Sequence, residues 1–200
     1  MIKVEEIYNA VGISEYTTIK WGVIRQSKIP KEFGVYIIEI HELFENPQLN
    51  DNAINEWLDN SGRVEIQEHK KVNTGLAKKH LSTFWKPDES IIYIGQSSLS
   101  KGGIKKRLSD FFSHCPGNKG PHAGGYWVKL LNNIDQLNVH YAICENPHEL
   151  EFRMLMYFIM KTSGEKDISK LKNIGSYLPF ANLTADIDKP HSITGAIKEK

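Results

Sequence analysis

The pattern of hydrophobic and polar residues predicts three β-strands in this chain. Residues 33–40 (FGVYIIEI) are β-branched or aromatic on both faces, as in a strand that is covered on both sides. Residues 90–96 (SIIYIGQ) predict a second strand, and the alternation over residues 137–143 (LNVHYAI) predicts a third. We therefore expect a small sheet that is largely buried.

Helical periodicity and helix-ending residues predict helices around this sheet. The helix that begins at Pro147 is the best defined, because Asn146 is a favoured cap and proline is favoured at the first helical position. Strands and helices in this arrangement predict an α+β fold. The predicted helices span residues 3–11, 71–86, 104–112, 126–131 and 147–160.

The length and composition allow one folded domain. The 200 residues are 40% hydrophobic and 24% charged, which is ordinary for a globular protein and excludes wholesale disorder. Residues 41–90 lie between the first two predicted strands and have the character of an insertion. Within them, residues 41–60 carry five acids and no basic residue, which is typical of a solvated surface.

The cysteine content and the amino terminus indicate a cytoplasmic protein. Cys115 and Cys144 are too few for a disulfide scaffold, and no Cys/His spacing indicates structural zinc. The sequence has no signal-peptide pattern and no run of 18 apolar residues, so we expect no membrane partner. Sequence motifs for nucleotide hydrolysis, esterases, zinc proteases and dinucleotide binding are also missing.

Charge is unevenly distributed along the chain, although the formal net charge is only +1. Residues 101–130 contain six basic residues and the single acid Asp110. This glycine-rich stretch either follows a nucleic-acid backbone, with binding that weakens as salt rises, or presents an ordinary solvated helix face. The candidate DNA contacts are Lys101, Lys105, Lys106, His114, Lys119 and His122.

Two charged residues lie on or beside the apolar faces of predicted helices. Glu151 lies in the middle of the apolar stripe of the 147–160 helix, where a carboxylate is costly unless it is paired or bound to metal. Arg107 lies at the edge of the apolar sector of the 104–112 helix, from which it can reach a cleft or cover apolar surface. A buried salt bridge between these two residues is the structural alternative.

Two tyrosines lie inside the predicted strands. Tyr36 follows Gly34 by two residues, and Tyr93 precedes Gly95 by two residues. Glycine within a strand permits the close approach of a backbone or a ligand. Taken alone, each tyrosine is more often a core residue with a hydrogen-bonded hydroxyl group.

Together these residues resemble the GIY-YIG nuclease superfamily. Five elements in the family order are far more specific than a single triplet. The resemblance covers residues 33–182, with about fifty residues between the two triplets where family members usually have a short hairpin. The matching elements are Gly34-Val35-Tyr36, Tyr93-Ile94-Gly95, GIKKRL with Arg107, ELEFRML with Glu151, and Pro179-Phe180-Ala181-Asn182.

The resemblance implies a three-stranded antiparallel sheet flanked by helices. The nuclease domain would span residues 33–182, with an insertion at 41–90. Residues 1–32 would be an N-terminal extension packed on this domain, and residues 183–200 a C-terminal tail. The implied activity is the hydrolysis of DNA phosphodiester bonds with one divalent metal ion, Mg²⁺ or Mn²⁺.

The resemblance also assigns roles to five residues. Glu151 would hold the metal through oxygen, and Arg107 would clamp a phosphate oxygen. Tyr36 would position or deprotonate the attacking water, which requires a lowered pKa. Tyr93 would support it as a hydrogen-bond donor, and Asn182 would orient the metal or phosphate side of the site.

Two other functions stay open from the sequence alone. The chain could keep this fold and bind nucleic acid without cutting it, which predicts salt-sensitive binding and no metal-dependent cleavage. It could also be an unrelated α+β interaction protein in which the tyrosines and the glutamate are core residues. A homodimer is expected only from symmetry, since a palindromic DNA target would need two active sites.

Overall fold

Four strands form a single sheet in the computed structural model, which describes residues 1–61, 72–118 and 125–182. Their order across the sheet is β1-β4-β2-β3, and each neighbouring pair is antiparallel. The α+β class is therefore confirmed, whereas the predicted number of three strands is wrong. The strands are β1 (Thr17–Lys20), β2 (Gly34–Glu39), β3 (Ile91–Ser97) and β4 (Asn138–Ile143).

The helices lie close to their predicted positions. Among the described residues there are also short 3-10 turns, one of which replaces the short helix predicted at 126–131. A helix at Asp51–Asn60 falls within the acidic segment, where no helix was predicted. The α-helices of the described residues are α1 (Val4–Ala10), α2 (Asp51–Asn60), α3 (Thr74–Ser82), α4 (Gly103–Ser113) and α5 (Pro147–Ser163). None of them is long and apolar enough to cross a membrane.

The extra strand, β1, belongs to the segment predicted as an N-terminal extension. It pairs with β4 at the edge of the sheet, with Thr17 opposite Tyr141 and Lys20 opposite Asn138. Helix α1 of the same segment packs against α5. The first 32 residues therefore supply part of the sheet in addition to packing on it.

Strand β2 lies at the centre of the sheet beside β3, although the long insertion separates them in sequence. Tyr36 lies opposite Gly95 of β3 and Tyr141 of β4. The insertion contains α2 and α3, which contact each other. The chain thus leaves the sheet, forms two helices and returns to pair with the strand it left.

The sheet separates two hydrophobic layers. Alternate residues of β2 point to opposite faces, so that Tyr36 and Ile38 lie in one layer and Val35 and Ile37 in the other. The first layer contains buried residues of α2, α3 and α4, and the second contains those of α1 and α5. The sheet is therefore covered on both faces, as the apolar sequence of β2 predicted.

Candidate active site

Tyr36 and Tyr93 meet on one face of the sheet. The hydroxyl group of Tyr93 donates a hydrogen bond to that of Tyr36, and the ring centres are 5.8 Å apart. The ring of Phe111 packs edge-on against Tyr93, with 5.4 Å between ring centres. Both tyrosines are buried, at 0% and 4% exposure. The two triplets singled out in the sequence thus come together through Tyr36 and Tyr93.

Helix α4 brings Arg107 to this pair. The helix begins against the segment that leads into β2, because the amide of Ile104 donates to the carbonyl of Glu32 at 2.8 Å. Gly103 permits this contact, since its φ is +47° and a Cβ there would lie 2.1 Å from the same carbonyl oxygen. One turn later, the guanidinium of Arg107 donates a hydrogen bond to the hydroxyl oxygen of Tyr36.

Helix α5 contributes Glu151 near its amino-terminal end. Glu151 is half-buried, and its carboxylate is close enough to raise the pKa values of Tyr36 and Tyr93. The apolar stripe of α5 that was predicted to surround it is buried, as expected. That stripe consists of Met154, Leu155, Phe158 and Ile159.

Burial dominates the electrostatics of the tyrosine pair. Burial raises the pKa of Tyr36 to about 12, while the charge of Arg107 opposes this shift. The two hydrogen bonds that Tyr36 accepts also lower its pKa, because they favour the phenolate. The pKa of Tyr93 is raised well above its ordinary value, first by burial and then by the neighbouring Tyr36. In this arrangement both phenols are protonated at neutral pH.

Arg107 keeps its positive charge at this site. Burial lowers its pKa, but the nearby Tyr36, Tyr93 and Glu151 together raise it above its ordinary value. Its Nε atom is buried and has no hydrogen-bond partner among the described residues. This donor therefore lacks an acceptor among the described residues, and it is closed to bulk solvent in this arrangement.

Asn182 lies beside β3, where it completes the edge of the sheet. Its side-chain oxygen accepts from the amide of Ile94 at 2.9 Å, and its side-chain nitrogen donates to the carbonyl of Ile94 at 2.7 Å. The amide of Ala181 also donates to the carbonyl of Ile92 at 2.8 Å. The closing motif therefore holds the strand that carries Tyr93.

The candidate DNA contacts are divided between surface and interior. Lys101 and Lys105 are exposed, and exposed Lys106 forms an ion pair with Asp110 at 2.7 Å. His114 is only 2% exposed, so it lies where a DNA strand does not reach without a rearrangement. The two other predicted contacts, Lys119 and His122, lie outside the described residues.

A basic pair beside the end of α4 was missed from the sequence. The guanidinium of Arg25 lies 4.9 Å from the ring centre of Phe112 and donates to Ser113 at 2.8 Å. The ammonium of Lys129 donates to the carbonyl of Phe112 at 2.6 Å. Arg25 lies far from α4 in sequence, so no local pattern could have placed it there.

The donor atoms at the site limit what it could hold. In the part of the chain that the structure describes, no three His, Cys, Asp or Glu side chains group together as metal ligands. Glu151 is the carboxylate that acts on both tyrosines and on Arg107. Glu151 is therefore the carboxylate of the described residues that could hold a cation here.

Comparison with known proteins does not place this chain in a family. No protein-family model, curated protein or solved structure matches the chain.

Proposed function

We propose that this chain is a metal-dependent endonuclease with a GIY-YIG-type active site that hydrolyses DNA phosphodiester bonds. The supporting observation is that Tyr36, Tyr93, Arg107 and Glu151 converge from four separate elements. Two hydroxyl groups, a guanidinium and a carboxylate are costly to bury, and core packing gives no reason to gather them. They are the groups that phosphodiester hydrolysis would use.

Arg107 would hold the substrate phosphate. Its guanidinium already donates to Tyr36, and its Nε is buried without a partner among the described residues. A phosphate oxygen could accept from Nε once a local rearrangement exposes this buried atom, and the positive charge would stabilise the negative charge that develops during cleavage. Exposed Lys101 and Lys105, near the beginning of the same helix, would contact the DNA backbone.

The donor chemistry of Glu151 fits Mg²⁺ or Mn²⁺. Its carboxylate is half-buried and close enough to the tyrosines to raise their pKa values, and hard divalent cations prefer such oxygen ligands. When bound, such a cation would neutralise the carboxylate and stabilise charge on the leaving oxygen. Metal binding at Glu151 would thus remove one influence that raises the pKa values of Tyr36 and Tyr93.

Tyr36 would orient the attacking water and accept its proton. Its pKa of about 12 keeps the phenol protonated while Glu151 is charged. Neutralisation of Glu151 removes one influence that raises this pKa, and the hydrogen bonds from Tyr93 and Arg107 stabilise the phenolate. Tyr36 could serve as the general base only as the phenolate, so its own proton would first have to pass to solvent, a loss that burial opposes.

The experiment that tests this proposal is the incubation of the purified chain with supercoiled, branched and single-stranded DNA. Each substrate is tested with Mg²⁺, with Mn²⁺ and with EDTA. The variants are Tyr36→Phe and Glu151→Gln. Matched controls are Tyr141→Phe, a buried tyrosine on the neighbouring strand, and Glu149→Gln, an exposed glutamate on the same helix.

Metal-dependent nicking by the parent and both controls, and its loss in both folded site variants, would support the proposal. No cleavage of any substrate by the parent, or equal cleavage by all five proteins, would overturn it.

A non-cleaving nucleic-acid-binding module is the second candidate. The observation that favours it is the complete burial of Tyr36, which keeps its hydroxyl away from bulk water. Such a module would bind DNA in a salt-dependent manner and would be indifferent to Mg²⁺ and to Glu151→Gln.

A further inference from the structure

A cleft beyond the end of β2 lies outside the candidate active site. One wall comes from the insertion, at residues 40–48, and the other from residues 131–137, with Trp85 between them. Its volume is about 80 Å³, about half of the roughly 150 Å³ that encloses a benzene molecule in an engineered apolar cavity. The cleft therefore covers part of one ring and leaves the rest of a ligand outside.

The two walls are fixed to each other by backbone hydrogen bonds. The amide of Asn50 donates to the carbonyl of Leu130 at 2.8 Å, and the amide of Asn132 donates to the carbonyl of Gln48 at 2.7 Å. The indole nitrogen of Trp85 donates to the carbonyl of Phe44 at 2.8 Å. A ligand would therefore enter a site that already has its shape, which reduces the entropy lost on binding.

The lining has the chemistry of a site for a neutral, flat ring. Five apolar side chains line the cleft, including the aromatic rings of Trp85 and Phe44, and primary amides provide both donors and acceptors. Glu42 is the acid of the lining, and among the described residues the lining holds His41 but no lysine or arginine, so a phosphate group would find no permanent positive charge there. The lining amides belong to Gln48, Asn132, Asn133 and Gln136.

Two of these amides are available to a ligand. The side chains of Asn133 and Gln136 are exposed and make no hydrogen bond to another described residue. Asn133 has a φ of +53°, a left-handed conformation that asparagine tolerates better than most residues. Both side chains can turn towards the edge of a ring that lies on the apolar surface.

We propose that this cleft binds a single-ring heteroaromatic base, that of a pyrimidine nucleoside or of a pyrimidine nucleotide in DNA. The ring would lie against Trp85 and Phe44, and its polar edge would bond to Asn133 and Gln136. The sugar would lie at the mouth of the cleft. Binding of a base that belongs to DNA rests on the proposed nuclease function, whereas binding of a free nucleoside does not.

The position of the cleft is compatible with a DNA source. Ile40 and Tyr36 belong to the same hydrophobic layer and are four residues apart along an extended chain. At a rise of about 3.3 Å per residue, the cleft begins about 13 Å from the tyrosine pair. This distance corresponds to about four nucleotide steps of 3.4 Å along a DNA strand.

The test is a ligand-observed NMR titration of the full chain with thymidine, cytidine and adenosine. Inorganic phosphate is the competitor. The variant is Asn133→Gly with Gln136→Ala, in which glycine keeps the left-handed conformation. The control is Asn9→Ala, which removes an exposed amide on α1, on the other side of the sheet.

The two sources are separated by a second arm that uses short oligothymidylate and the same oligomer with abasic sites. A free-nucleoside site predicts thymidine binding that weakens about tenfold in the double variant, the loss expected for two neutral hydrogen bonds. A DNA site predicts a similar loss for oligothymidylate and none for the abasic oligomer.

Glu151→Gln is titrated in parallel, because the cleft should bind its ring whether or not the chain cuts DNA. Equal affinities of the parent and the double variant for thymidine and for oligothymidylate would overturn the site. Tighter binding of adenosine than of either pyrimidine nucleoside, or displacement by phosphate, would overturn the assignment of the ligand.

Discussion

Gly95 lies so close to Tyr36 that a side chain at this position would occupy the place of the tyrosine hydroxyl. A Cβ atom at Gly95 would be 2.7 Å from Cζ of Tyr36 and 2.8 Å from its hydroxyl oxygen. The last residue of the second triplet thus makes room for the last residue of the first. The pairing of β2 with β3 places these two residues directly opposite each other.

Gly95→Ala should therefore disturb both the stability and the site. The added methyl group must displace a buried aromatic ring, so we expect a loss of about 1–3 kcal/mol in the free energy of unfolding. Nicking of plasmid DNA should fall with it. Gly75→Ala is the matched control, because its Cβ meets nothing closer than 3.5 Å in a helix, where alanine is favoured over glycine. Urea denaturation of both variants checks this prediction, and parent-like stability of Gly95→Ala would contradict it.

Arg107→Lys should show whether the proposed active site needs the planar guanidinium group or only a positive charge at position 107. Lysine keeps the positive charge but cannot donate to Tyr36 and to a phosphate oxygen with the same planar group. We expect DNA cleavage to fall about 100-fold, as when one donor to a developing negative charge is removed, with little change in stability. Arg153→Lys, on the exposed side of α5, should cleave like the parent. Initial cleavage rates in Mg²⁺ measure the effect, and an Arg107→Lys variant as fast as the parent would argue against a role for the planar group.

Asn182→Ala should lower the stability of the protein. The substitution leaves the amide and the carbonyl of Ile94 without their partners, and each buried unpaired group costs about 1–3 kcal/mol. We expect the free energy of unfolding to fall by about 2–4 kcal/mol. If Asn182 instead orients a metal ion, the variant would unfold like the parent and lose only activity, which added Mg²⁺ would restore. Urea denaturation and a Mg²⁺ titration of cleavage distinguish the two.

The stabilisation that Glu39 contributes should be lost in acid. Its carboxylate is hydrogen-bonded to His140 at 3.1 Å, and this bond lowers the pKa of Glu39 below its usual 4.5. Burial raises the pKa, and a hydrogen bond from Asn138 lowers it further. The unfolded chain therefore takes up the proton first as the pH falls. The stabilisation is complete above pH 4.5 and is lost as the pH falls through the lower native pKa.

Urea denaturation between about pH 6 and pH 3 tests this behaviour, since the pKa of an unperturbed glutamate lies within that window. Glu39→Gln should show a weaker loss of stability in acid than the parent. Glu149→Gln, which changes an exposed glutamate on α5, should keep the parental pH dependence. Identical acid dependence in the parent and Glu39→Gln would contradict the assignment.

The parts of the fold that are amphipathic or doubly buried could be predicted from sequence. Strands β2, β3 and β4 and helix α5 have apolar patterns that match their burial. Strand β1 has only one half-buried residue, Ile19, so it has no apolar face to detect and forms through its pairing with β4. Helix α2 was missed because only Ile54 and Trp57 are buried among its polar residues.

The candidate site could be predicted only in part. Helical geometry placed Glu151 on an apolar face, but its proximity to Tyr36 depends on how α5 packs across the sheet. The hydrogen bonds from Asn182 to Ile94 join residues 88 positions apart, and no local pattern encodes such a contact. The cluster of Glu39 and His140 was missed for the same reason, since it forms across neighbouring strands.

The order of the strands has a consequence for how the protein is made. Among the described strands, no two neighbours in the sheet are joined by a tight hairpin, because Thr17 pairs with Tyr141 and Gly34 with Ser97 and Ile143. At about 5–20 residues per second, a ribosome needs about 6–25 s to synthesise β4 after β1. During that interval β1 has left the ribosome, but its partner β4 has not been made. The edge of β2 that pairs with β4 is also unpaired. The nascent chain therefore carries unpaired backbone amides and carbonyls until translation has passed residue 143, and this is the period in which it is most exposed to aggregation and to chaperones.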